Sequence, residues 1–116
     1  MGLARTKMGA FRLGRPDPLI DQSIDEVVRE FAATVRYNDA PVVLDRTFGR
    51  WVLCRQVDER PVLGVWKGER NGVPFLEIRT GRIVGHGLRM AEVDQLRLSL
   101  EQRTGLHIEV QKTLST

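Results

Sequence analysis

The chain has 116 residues, 41% hydrophobic and 28% charged, with a formal net charge of +3 and a pI near 9.6. That is apolar material for one core and one domain, and too small a charge excess to establish a polyanion partner by itself. Its single cysteine, Cys54, excludes an intramolecular disulfide; with no signal-like leader and no long apolar run, the expected setting is the cytoplasm, away from membranes.

Residues 1–16 carry four bases (Arg5, Lys7, Arg12 and Arg15), no acids and no helical periodicity. They read as a basic flexible arm, and residues 17–116 as a single α+β domain. Ser23 and Glu26 form a capping box for a helix whose apolar stripe is Ile24, Val27, Val28, Phe31 and Val35. Residues 17–48 hold seven acids against three bases, so this first helix lies in the acidic part of the chain. Asn38-Asp39-Ala40-Pro41 breaks it, and Val42-Val43-Leu44 follows as a short strand or extended connector.

Trp51 to Gln56 is strand-like, and residues 57–61 form its polar, proline-containing loop. Residues 62–67 and Phe75 to Arg79 flank Asn71-Gly72, a pair that tolerates the positive φ of a tight hairpin turn. Alternation sets Leu76 and Ile78 on one face and Phe75, Glu77 and Arg79 on the other. It also separates Leu63, Val65 and Lys67 from Trp66, so a core built on Leu63 and Val65 leaves Trp66 on the open face of the sheet. After Gly85-His86-Gly87, a helix carries Val93, Leu96 and Leu100 at helical spacing, and Leu98 widens the apolar arc. Gly105 stops it, and Leu106 to Val110 reads as a further strand. The expected fold is α+β, with a four- to five-stranded antiparallel sheet, an N-terminal helix and a C-terminal helix.

Between residues 49 and 100 the chain resembles the Positive Cofactor Four group of single-stranded-DNA-binding transcriptional coactivators. The matching pieces are Trp51-Val52-Leu53, Trp66-Lys67-Gly68, Leu76-Glu77-Ile78-Arg79, and Gly85-His86-Gly87-Leu88-Arg89-Met90 running into the helix. Thr80-Gly81 stands where such proteins carry an aromatic, and Ala91 where they carry a helix cap. The resemblance implies a curved antiparallel sheet as the nucleic-acid platform and a helix used in dimerisation.

Eight bases face four acids between residues 49 and 89, which puts positive charge on the sheet. Candidate contacts with single-stranded DNA or RNA are Trp66 for stacking, Arg55, Lys67, Arg70, Arg79 and Arg82 for phosphate, and His86 at the periphery. Each has a structural counterpart: tryptophans anchor cores, and sheet-face bases pair with carboxylates such as Glu77. A homodimer is expected through Val93, Leu96, Leu98 and Leu100. Two histidines and one cysteine, widely spaced, form no metal or catalytic pattern, so neither enzyme activity nor a cofactor is expected. Arg supplies fifteen of the eighteen bases, a usage that points to a GC-rich bacterial genome. The alternative is a protein-interaction or oligomerisation module of a bacterial mobile element or phage. A double-stranded-RNA-binding module is disfavoured, because Ala91-Glu92-Val93-Asp94 is acidic where that fold places bases.

Overall fold

A computed structural model describes residues 12–13, 17–37, 39–47, 49–80 and 88–111. In chain order the elements are β1 (Arg12–Leu13), α1 (Pro18–Thr34), β2 (Arg36–Tyr37), β3 (Ala40–Thr47), β4 (Arg50–Arg55), β5 (Pro61–Arg70), β6 (Val73–Arg79), α2 (Met90–Thr104) and β7 (His107–Gln111). Arg12 and Leu13 of the expected arm thus pair with β5, at Glu69 and Gly68. The rest of the arm, together with Arg82 and His86, lies outside the described residues.

Helix α1 begins earlier than the Ser23 capping box predicts. Asp17 is its N-cap: Oδ1 accepts the Ile20 N–H at 3.3 Å, and Pro18 opens the helix without an N–H to satisfy. Ser23 therefore sits inside the helix. At the start of α2 the N-cap is Arg89 rather than Ala91, and the Glu92 carboxylate reaches back to accept the Arg89 N–H at 2.8 Å. Gly105 ends α2 as expected, with φ of 73° and its N–H donated to the Glu101 carbonyl.

The α+β class holds, but the sheet is wider than expected and mixed. Its order is β2-β3-β4-β5-β6-β7, with β1 on β5 beyond the reach of β4. The connector at Val42 to Leu44 is an eight-residue strand, because β4 pairs it from Val42 with Arg55 to Thr47 with Arg50. The hairpin β5–β6 turns on Asn71 and Gly72, with φ of 55° and 77°. Strand β7 lies parallel to β6, which corrects the all-antiparallel expectation. A helix between two neighbouring strands is the connection that a parallel pair requires, and α2 supplies it.

Both helices pack against one face of the sheet. Ile24, Val27 and Val28 of α1 and Val93, Leu96 and Leu100 of α2 meet Trp51, Leu53, Leu63, Val65, Leu76, Ile78 and Ile108 in one core. Arg103 ties the helices together, 2.7 Å from Glu26 and 3.8 Å from Glu30.

Lys67 belongs to this helix-facing side by alternation with Leu63 and Val65, and it is only 3% exposed. Its ammonium lies 2.5 Å from Asp21 of α1, so the sheet is pinned to the helix by a buried ion pair. Removing the carboxylate takes an ion-pair partner from a buried cation, whereas removing the lysine leaves an aspartate that water can reach. Asp21→Ala is expected to cost about 3 kcal/mol in chemical denaturation, and Lys67→Met clearly less. The reverse order would remove the pair from the interactions that hold α1 to the sheet.

Candidate functional site

Alternation along β5 and its neighbours gives the opposite face of the sheet, which no helix covers among the described residues, a distinct set of side chains. The ladders align Arg50, Trp66, Glu77 and Glu109 in one row across β4, β5, β6 and β7. The adjacent row is Val52, Gly64, Arg79 and Gln111. Gly68, Phe75 and His107 continue the pattern on the other side of the first row.

Gly64 shapes the centre of this face. A Cβ built there would lie 2.1 Å from Trp66 Cζ3, so the half-buried indole folds back along its own strand onto bare backbone. The Arg79 guanidinium carbon sits 4.3 Å from the ring centroid of Trp66, and that of Arg50 5.6 Å. Each is within cation–π range of the same ring. Arg79 is further fixed by Glu77, whose carboxylate accepts its Nε–H at 2.6 Å while accepting Gln111 Nε2–H at 2.5 Å. The Glu77 side chain is only 5% exposed, so it is a buried anchor that orients the arginine. Arg50 is exposed and has no ion pair among the described residues.

A second arginine–aromatic contact runs alongside. Arg70 passes 4.4 Å from the Phe75 ring and reaches Glu109 at 2.9 Å. The hydrogen bond from Arg70 holds the Glu109 carboxyl below the usual carboxylate range, against the opposing effect of burial. His107 stands 3.4 Å from the same carboxylate, with its side chain 68% exposed. Two neighbouring acids, Glu77 and Glu109, are therefore each compensated by an arginine on the same face.

Of the residues expected to touch nucleic acid, the structure brings Trp66, Arg70 and Arg79 together. Lys67 is on the other face, buried against α1. Arg55 also lies on the helix-facing side, beside its ladder partner Val42, with its guanidinium near the Tyr37 ring and 3.3 Å from Asp58. Arg82 and His86 lie outside the described residues. Arg50 was missed; its only sequence signal is its place at the head of β4, and its pairing with Trp66 depends on register. Of the expected dimer residues, Val93, Leu96 and Leu100 are buried in the chain's own core, and only Leu98 is exposed.

Burial, helped by Asp45 and Glu59, pushes the Cys54 thiol up, away from a reactive thiolate. Among the described residues no group of His, Cys, Asp or Glu is placed to hold a metal, and no helix is long and apolar enough to cross a membrane. No family model, no curated protein and no solved structure matches the chain.

Two measurements check this geometry. Gly64→Ala is expected to drive the indole off the sheet and shift the Trp66 emission to the red, isolated as the difference from Trp66→Phe; unchanged emission would contradict the packing. Because the Glu109 pKa is depressed in the folded state, its ion pair stabilises above the unfolded carboxylate range and fades as pH falls through the folded pKa. Arg70→Gln should therefore raise the Glu109 pKa in a carboxyl NMR titration, and its stability deficit should be present at neutral pH and close in acid.

Proposed function

We propose that the helix-free face of the sheet binds single-stranded nucleic acid, non-enzymatically, in a transcription-associated role of the kind the resemblance implies. The observation that carries this reading is the indole of Trp66 flanked by the guanidinium groups of Arg50 and Arg79. Unstacked bases pile onto aromatic rings and onto arginine planes alike, and every base has such a face. Trp66 orients the two guanidinium groups, Glu77 holds one of them, and Arg50, which has no ion pair among the described residues, presents its charge at the rim for phosphate. A base would extend the stack already formed by arginine and tryptophan.

A second reading has its own observation. Arg70 and Arg79 are paired with Glu109 and Glu77, so this face has little excess positive charge. A near-neutral face rich in arginine and aromatic groups also suits a protein partner. Salt dependence separates the two.

The test is fluorescence anisotropy of a labelled mixed-sequence single strand and its duplex, titrated at two salt concentrations. Expected is a preference for the single strand, with Trp66→Ala costing about 1–3 kcal/mol. Arg50→Ala should lower the slope of log affinity against log salt by about one phosphate contact. Absence of single-strand binding at low salt would reject the nucleic-acid reading and leave the protein-partner one.

A further inference from the structure

Strand β7 closes one end of the sheet. Strand β6 pairs one of its edges, and among the described residues no strand pairs the other. The Gln111 carbonyl accepts the Thr80 N–H at 3.0 Å on the β6 side. Alternation then turns the N–H and C=O of Ile108 and Val110 to the outer edge. Open edges are pairing templates, and sheets usually blunt them with proline, lysine or a bulge. His107-Ile108-Glu109-Val110-Gln111 contains no proline or lysine, and its ladder with β6 runs without a register shift.

We infer that this edge pairs with the same edge of a second copy of the chain, antiparallel about a two-fold axis through Ile108. The pattern of the strand is self-complementary in that register and in no other of similar length. His107 comes opposite the partner subunit's Glu109, and the reciprocal pair forms on the other side of the axis. Leu106 meets the partner subunit's Val110, and Ile108 meets its own counterpart. All three apolar residues already pack on the core of their own chain, so the two cores join beneath the new ladder. Moving the axis by one residue, to Glu109, sets two carboxylates face to face, which is unfavourable for directly opposed pairs. Helix α2 contacts β7 and exposes Met90 and Leu98. This pairing takes the place of the helix-centred dimer expected from the sequence, most of whose residues serve the chain's own core.

The test uses the full chain in sedimentation velocity across a concentration series, with three variants. The His107 side chain is 68% exposed, so His107→Glu should leave the fold intact, as an unchanged melting curve would verify. It places Glu opposite Glu twice and is expected to weaken the dimer about tenfold or more. His107→Lys places a cation at that position and should keep the dimer, as should Leu98→Asp. A wild-type chain that stays monomeric up to about 100 μM would overturn the proposal. So would a dimer indifferent to His107→Glu, or one lost only in Leu98→Asp, which would place the contact on α2. Nucleic-acid binding by Trp66 and Arg50 is read separately and does not depend on the outcome.

Discussion

Strand β5 is paired along both edges, and its alternation from Leu63 onward decides what each face of the protein can present. Leu63, Val65 and Lys67 face the helices, while Gly64, Trp66 and Gly68 face away. The first set must be dry, because Trp51, Leu76 and Ile78 converge on it from the flanking strands. A lysine in that set can stay only with a partner, and Asp21 of α1 provides it across the helix–sheet boundary. The second set has no helix to meet among the described residues, so its large side chain has to find support within the sheet. Gly64 and the two flanking arginines give it that support. The ion pair on one face and the arginine–tryptophan cluster on the other are therefore consequences of a single register.

That register also explains what the sequence made legible. The Asn71-Gly72 turn, the stripes of both helices and the Gly105 stop are local signals, written within a few residues of where they act. The placement of Trp66 on the helix-free face followed from alternation once Leu63 and Val65 were assigned to the core, although its indole is half-buried there. The partner of Lys67 lies 46 positions away, and no local pattern marks Asp21 as different from the other acids of α1. Pairing Arg50 with Trp66 required the offset between β4 and β5, which passes through a register shift at Leu53/Cys54. The direction of β7 was likewise invisible, because the pattern of a strand does not state whether its neighbour runs parallel.

Helix termini show the same division in finer detail. Ser23 and Glu26 satisfied a capping pattern, yet Asp17 with Pro18 formed the actual start. Both pairs are good N-terminal signals, and the earlier one adds a further turn of helix, carrying Ile20 and the Asp21 that reaches Lys67. Tertiary contact, here the anchoring of a buried ammonium, favours the longer helix over an otherwise adequate local alternative.

The carboxylates on the helix-free face change what its arginines can do. A guanidinium on a mobile stem is a phosphate clamp whose affinity rises and falls with salt. Arg79 is instead bonded through Nε to a nearly buried Glu77 and held against an indole, so its orientation is set before any ligand arrives. The carboxylate removes part of the charge and in return fixes a plane, which favours recognition of flat groups over recognition of charge. Arg50, exposed and with no ion pair among the described residues, keeps the charge that Arg79 has given up. On the proposed single-strand reading, planar stacking and phosphate attraction are divided between two arginines on opposite neighbours of one tryptophan.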